Sequence, residues 1–92
     1  PKAGVFSEGQ AAIVAGQISA LMRGASDAPT YDGRGICYLE VGHHEVAKVD
    51  VTFMAGERPH GGLEGPSADL AEDKADFGRS RIRRWFGREW AV

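Results

Sequence analysis

The chain has little that would indicate a disulfide-stabilised, metal-binding or membrane-spanning protein. It contains one cysteine in 92 residues, which excludes an internal disulfide and a CxxC metal knuckle. No apolar run approaches the roughly 20 residues that a bilayer-spanning helix needs, and no signal peptide opens the sequence. The 11 basic and 13 acidic residues leave a net charge of only -2, so the overall electrostatics do not indicate a nucleic-acid partner.

The length and composition fit one small globular domain, and we predict a single domain over residues 1–92. Apolar residues make up 42% of the chain and charged residues 26%, which is ordinary for a globular protein. A chain this short hides only roughly two-thirds of its unfolded surface, so we expect marginal stability without a partner. Because the first residue is Pro1 and not Met, we expect a removed initiator or a segment of a longer protein.

The spacing of apolar residues predicts a first helix over residues 8–23. Ser7 and Gln10 have the spacing of a capping box, in which each side chain satisfies a free backbone N–H. Gly24 is a natural helix end. The predicted apolar stripe consists of Ala11, Val14, Ala15, Ile18, Leu21 and Met22.

An antiparallel β-hairpin is predicted after this helix. Residues 35–41 are rich in β-forming side chains, and residues 46–55 begin with apolar and polar side chains in alternation. The two runs are separated by a short turn that contains Gly42. The residues on either side of this pair, 24–34 and 56–66, have loop composition. A lone hairpin is marginal in water, so we expect a helix or another sheet to cover one of its faces.

A second helix is predicted over residues 68–89, with Ser67 as its N-cap. Its acidic residues lie in the first half and its arginines in the second, which matches the helix macrodipole. Gly78 weakens the helix by about 1 kcal/mol relative to Ala and leaves room for a bend. The predicted fold class is therefore α+β, consisting of a helix, an antiparallel β-hairpin and a C-terminal helix.

The second half of this last helix mixes aromatic residues with arginines, a pattern with three interpretations. The aromatic residues can pack with arginine against another protein surface, with cation–π contacts. They can also lie at a membrane surface. The run RSRIRR could contact nucleic acid, but the acidic first half of the same helix disfavours this.

The histidines do not predict a metal site. His43 and His44 are adjacent, so on a strand or tight turn their side chains point to opposite sides. His60 has no predicted place near them, and a solvated turn explains the pair better than metal ligation.

The opening segment, residues 1–10, places a lysine and a glycine-containing backbone directly before a helix N-terminus. Such an end suits an anion or an electron-rich oxygen, although an ordinary capped helix has the same pattern. PKAGVFSEGQA resembles the stretch after the second flavin motif of FAD-dependent pyridine nucleotide-disulfide oxidoreductases, above all the sulfide:quinone oxidoreductase-like branch and its flavocytochrome c relatives. GICYLEVG resembles the family's cysteine-bearing strand, and PSADLAEDKADFGRSRIRRWFG resembles its C-terminal helix.

The resemblance implies roles for particular residues in an FAD-dependent oxidoreductase. Lys2, Ala3 and Gly4, with the helix that follows, would stabilise negative charge at the pyrimidine edge of the flavin. Cys37 matches a cysteine that carries sulfur close to the flavin, and Ile36 would lie near the quinone ring. The residues alone leave plainer roles open, because free cysteines are commonly buried and a strand isoleucine commonly packs in a core.

The sequence also departs from the family pattern. It has no GxGxxG fingerprint and lacks the second redox cysteine, so it resembles the C-terminal end of such an enzyme. We expect FAD in the full-length parent and none in this segment. The expected partners are the parent's flavin domains, a second copy, and a quinone or the membrane surface, with no nucleic acid. The expected location is cytoplasmic, including the inner face of the membrane. The alternative is a non-catalytic module for dimerisation or membrane docking.

Overall fold

The computed structural model describes residues 2–90, which form two helices and a three-stranded antiparallel sheet. This α+β arrangement confirms the predicted fold class. The strands lie in the order β1-β2-β3, so β2 is central and the other two are the edges. The elements in chain order are α1 (Gly4–Arg23), β1 (Arg34–Gly42), β2 (Glu45–Thr52), β3 (His60–Ser67) and α2 (Ala68–Phe86).

Two compact units divide the chain. The first runs to Cys37 and includes Asp50–Gly62, and the second comprises Tyr38–Val49 and the chain from Leu63 onward. In the first unit, the buried apolar side chains are Phe6 and Ala20 on α1. In the second unit they are Val46, Ala47 and Leu70. The prediction of a single domain over residues 1–92 stays a prediction.

Helix α1 begins at Gly4, four residues before the predicted start, and the predicted capping box is wrong. Its N-cap is Ala3, in extended conformation and without a side-chain hydrogen bond to the helix end. Ser7 lies inside the first turn, where its hydroxyl donates to the Ala3 carbonyl at 3.5 Å. The end at Arg23 is as predicted, because Gly24 adopts the left-handed conformation that closes a helix.

The side of α1 that packs within its own unit differs from the predicted apolar stripe. The loop that follows the helix folds back along a side where Gly9 and Gly16 have no side chain. The Tyr31 ring lies against Gly9, and Pro29 lies so close to Gly16 that a Cβ there would be 2.7 Å from its ring. Much of the stripe remains outside this contact, and its large members are half to four-fifths exposed: Val14, Ile18, Leu21 and Met22.

The predicted hairpin is confirmed as β1 and β2. Its turn consists of His43 and His44, which have φ angles of 52° and 59°. Positive φ at both central residues is the requirement of a type I′ turn, whose twist matches that of the flanking strands. The two histidines therefore act as turn residues.

Strand β3 lies in a segment that the sequence predicts to be a loop, and that prediction is wrong for residues 60–66. Gly61 explains how this glycine-rich segment pairs with β2. A Cβ at Gly61 would lie 2.4 Å from the Asp50 carbonyl oxygen, so only glycine allows this approach without a shift. Composition alone favours a loop because glycine and proline are rare in strands.

Helix α2 confirms the predicted N-cap, since the Ser67 hydroxyl accepts a hydrogen bond from the Leu70 amide. The helix ends at Phe86, three residues before the predicted end, and runs through Gly78 without interruption. The chain then turns back, and the Trp90 ring lies against Gly78, where a Cβ would be only 2.4 Å away. The absent side chain at Gly78 thus makes room for a tryptophan.

Candidate functional site

The N-terminal end of α1 is open. Its first turn carries no acidic residue, and no side chain caps it. Gly4 is exposed, and no atom lies within 4 Å of the position that its Cβ would take. Lys2 is exposed directly before it. The first amides of a helix carry a partial positive charge, so this end favours a negatively charged or electron-rich group.

Phe6 holds this end of α1 against β1. Its ring covers Gly35 so closely that a Cβ there would lie 2.4 Å from a ring carbon. The ring also makes an edge-to-face contact with Phe53, with centroids 5.7 Å apart and an interplanar angle of 78°. Phe6 is only 4% exposed. The first turn of the helix is therefore fixed by an aromatic pair and a glycine.

Cys37 shares a face of β1 with Gly35, because alternate residues of a strand point to the same side. It is a free, half-buried cysteine. Ile36 lies between these two residues in the strand, so its side chain points to the opposite face of the sheet from the Cys37 side chain. Of the residues that the resemblance singles out, Lys2, Ala3, Gly4 and Cys37 belong to one compact unit that Phe6 and Gly35 link. Their flavin roles stay predictions.

An ion pair fixes the beginning of β1 in the same unit. The guanidinium of Arg34 donates to both carboxylate oxygens of Asp50, at 2.9 and 2.6 Å. This bond raises the pKa of Arg34 above its ordinary value. The Tyr31 hydroxyl donates to the Arg34 carbonyl at 3.0 Å, and the Arg34 amide donates to Asp32 at 3.0 Å. Nothing in the sequence spacing brings residues 34 and 50 together before the hairpin register is known, so this cluster is not predicted from the sequence.

A polar cluster in the second unit joins its strands to α2. Lys48 and Tyr38 each donate to the same carboxylate oxygen of Asp73, both at 2.8 Å. The Lys48 bond is the main cause that lowers the pKa of Asp73, and the Tyr38 bond adds to it. Partial burial raises the pKa of Tyr38, and the bond to Asp73 raises the pKa of Lys48. A second bond between these elements runs from Lys74 to Glu40 and lowers the pKa of Glu40.

The hydrogen bonds of Tyr38 and Lys48 to Asp73 connect β1 and β2 to α2. Its tyrosine keeps its proton because the pKa is raised, and its lysine keeps its charge for the same reason. Neither group is therefore prepared to act as a base near neutral pH. One signal could have found part of this cluster, since Lys48 lies at a polar position of the alternating second run.

The C-terminal half of α2 combines arginine with aromatic rings. The guanidinium of Arg81 lies 3.4 Å from the centre of the Phe77 ring, which is a cation–π contact within the helix. Arg84 lies 5.7 Å from the Trp85 ring. Trp85 and Phe86 are 55% and 66% exposed. This end of α2 is thus an exposed aromatic surface with positive charge beside it.

Residues 2–90 hold neither a metal-ligand cluster nor a membrane-spanning helix. No group of three or more His, Cys, Asp or Glu side chains in this part of the chain is placed to hold a metal ion. Neither α1 nor α2, as described over the same residues, is long and apolar enough to cross a bilayer.

Comparison with known proteins gives no family. No protein-family model matches the chain, and no curated protein and no solved structure matches it.

Proposed function

We propose that the chain is the C-terminal part of an FAD-dependent oxidoreductase of the sulfide:quinone oxidoreductase-like branch. One observation carries the proposal beyond the resemblance: the open N-terminal end of α1 is held by Phe6 against Gly35, on the strand face that carries Cys37. An electron-rich group at the helix end and a thiol near it are the two features that the resemblance implies.

The residues at this end fit the pyrimidine edge of a flavin. That edge gains negative charge when the flavin accepts electrons, which is the chemistry that the cofactor supplies when it is bound. The first amides of α1 and the Lys2 ammonium group favour such charge, and no carboxylate in the first turn opposes it. Lys2, Ala3 and Gly4 would hold the cofactor edge. Cys37 would supply the thiol, with its reactivity set by the parent's own surroundings.

The exposed side of α1 supports a partner within the parent protein. Leu21 and Met22 are 80% and 83% exposed, and Val14 and Ile18 are about half exposed. Apolar patches of this kind usually mark a contact surface. We assign this surface to contact with the parent's flavin domains. Ile36, on the face of β1 opposite Cys37, is the candidate quinone contact. The proposed location is cytoplasmic.

A second candidate function is docking to the inner face of a membrane, as a non-catalytic module. The exposed rings of Trp85 and Phe86 beside Arg84 favour it, because aromatic rings with arginine suit the interface of an anionic bilayer. A non-catalytic module of this kind could instead dimerise through the same two rings.

The test of the flavin proposal compares the segment with the longer protein. Titration of the purified chain with FAD should give no micromolar binding, because the sequence lacks the glycine-rich turns that hold the adenosine and pyrophosphate. The gene extended upstream should encode a GxGxxG and a second cysteine, and its product should bind FAD. In that product, Cys37→Ser should abolish sulfide-dependent flavin reduction and leave the flavin bound.

The matched control for that substitution is Ser80→Ala, which alters one exposed hydroxyl on α2 and should change neither property. An upstream frame without either motif would refute the family assignment. Normal sulfide-dependent reduction in the Cys37→Ser protein would refute only the role of the thiol.

A further inference from the structure

The loop before β1 ends in Asp32 and Gly33, the one Asp-Gly sequence of the chain, which contains no asparagine. An Asp-Gly bond is chemically vulnerable, because no side chain hinders the glycine amide nitrogen when it attacks the aspartate carboxyl carbon. The attack requires that the two groups lie together and that no hydrogen bond engages the amide. Both conditions can be examined in the structure.

The turn places the Asp32 carboxyl group beside the Gly33 amide. Asp32 is exposed, and its Oδ1 accepts a hydrogen bond from the Arg34 amide at 3.0 Å. An aspartate side chain that accepts from the amide two residues on folds back along the backbone between them. Among residues 2–90, no group accepts a hydrogen bond from the Gly33 amide. The nitrogen is therefore available, and the carboxyl carbon lies next to it.

The Arg34 amide is placed to assist this attack. When the nitrogen adds to the carboxyl carbon, negative charge develops on a carboxyl oxygen, and a fixed N–H donor stabilises such charge. Gly33 is fixed as well, because its carbonyl accepts from the Phe53 amide at 2.9 Å. Its φ of 78° is a conformation that glycine adopts readily. One turn thus holds the nucleophile, the carboxyl group and the donor together.

We propose that Asp32 isomerises spontaneously to isoaspartate in the folded chain, through a succinimide. The Gly33 nitrogen loses its proton to water and forms a bond to the Asp32 carboxyl carbon, whose hydroxyl group takes up a proton and leaves as water. Water then adds to either carbonyl carbon of the cyclic product and opens the ring. One opening restores aspartate, and the other gives isoaspartate, in which the backbone runs through the side-chain carbon.

The reaction balances without an oxidant or a reductant, since one water is released and one is taken up. The atoms involved all belong to the first compact unit, and the inference does not depend on the flavin proposal.

The modification should loosen the start of β1. Isoaspartate inserts one methylene group into the backbone before Gly33, which lengthens it by about 1.5 Å. Gly33 has little room to shift toward β2, because even a Cβ there would collide with the Phe53 carbonyl oxygen and lie 2.8 Å from the Met54 sulfur. The hydrogen bond from Phe53 to Gly33 should therefore weaken, and modified chains should unfold at a lower urea concentration.

The test begins with the purified chain, kept at neutral pH for several weeks and then digested with trypsin. Cleavage after Arg23 and Arg34 releases residues 24–34, which contain both Asp27 and Asp32. Isoaspartate does not change the mass of this peptide, so chromatography separates the isomers and electron-transfer fragmentation locates the modified residue. We expect isoaspartate at position 32 and at least about tenfold less at Asp27, which is exposed in the same loop but precedes an alanine.

A synthetic peptide of residues 24–36 separates the effect of the turn from that of the sequence. Isoaspartate should form at position 32 of the folded chain at least as fast as in the peptide, because the turn holds the reacting groups together. A slower rate in the folded chain would mean that the turn protects the bond, and would overturn the proposal. Equal amounts of isoaspartate at Asp27 and Asp32 would overturn it as well.

A pair of variants confirms the position of the reacting carboxyl group. Asp32→Glu keeps the charge but would need a six-membered ring, which closes more slowly, so the isomerised peptide should disappear. Asp27→Glu makes the same change five residues earlier in the loop and should leave the rate at position 32 unchanged. Isomerised peptide formed at the original rate in Asp32→Glu would refute the assignment.

Discussion

Gly35→Ala is the substitution that tests most directly how α1 is held to β1. A Cβ at position 35 would lie 2.4, 2.5 and 2.8 Å from three carbons of the Phe6 ring. Carbon atoms in contact are about 3.5–4.0 Å apart, so the ring must move by about 1 Å or more. It cannot move freely, because Phe6 is buried and its ring also contacts Phe53 at a centroid distance of 5.7 Å.

The expected cost follows from overpacking. An additional methyl group in a packed contact destabilises by about 1–3 kcal/mol. Replacing glycine by alanine also restricts the unfolded chain, which stabilises the folded state by about 0.4–1 kcal/mol. We therefore expect a net loss of about 1–2 kcal/mol. In a chain of this size that corresponds to a decrease in Tm of about 4–15 °C.

The assay is thermal and urea unfolding followed by circular dichroism. Gly62→Ala is the matched control, because it lies in β3 with no atom within 4 Å of the added methyl group. We expect that variant to be as stable as the original chain or slightly more stable.

A double-mutant cycle assigns the cost to the ring. Phe6→Leu should be less destabilising in the Gly35→Ala background than alone, with a coupling of about 1 kcal/mol. If Gly35→Ala unfolds at the same urea concentration as Gly62→Ala, then Phe6 does not lie against β1 and the proposed site loses its support.

Three other outcomes are expected. The hydrogen bond from Lys48 lowers the pKa of Asp73, so its stabilising effect is present above the ordinary carboxyl pKa and is lost as pH falls through the lowered value. Urea midpoints should therefore fall less steeply below pH 4 in Asp73→Asn than in the original chain. Leu21→Gln should leave stability within about 0.5 kcal/mol and reduce binding of the dye ANS, because the side chain is 80% exposed. If α2 docks to membranes, the chain should float with phosphatidylglycerol vesicles and not with phosphatidylcholine vesicles, and Trp85→Ala with Phe86→Ala should abolish this.

The elements that could be predicted from sequence are those with local causes. The hairpin follows from two runs of β-forming side chains around a short turn, and Gly24 ends α1 through its own conformation. Ser67 caps α2 through a bond that spans three residues. Each of these features depends on neighbours in the sequence, so its signal is visible without the fold.

Features that depend on distant contacts could not be predicted. Strand β3 forms because β2 offers an edge against which Gly61 can lie. No pattern within residues 60–67 predicts that they pair with β2. The packed side of α1 could not be predicted either. The spacing of apolar residues predicts that the apolar stripe is buried, but another side of the helix carries small residues. The chain packs the side that contains Gly9 and Gly16, where the missing side chains allow Tyr31 and Pro29 to approach closely.

The early start of α1 has the most direct consequence for the proposed site. A helix starting at residue 8 with a Ser7 cap would have used its amides on its own side chains. The helix begins at Gly4 instead, and its end has no side-chain acceptor. Phe6 explains the difference, because a ring in the first turn that packs against Gly35 contributes more than a capping bond of about 1 kcal/mol. The same contact that extends the helix therefore leaves its first turn without a side-chain cap, and loosening that contact should weaken both the start of the helix and the proposed site.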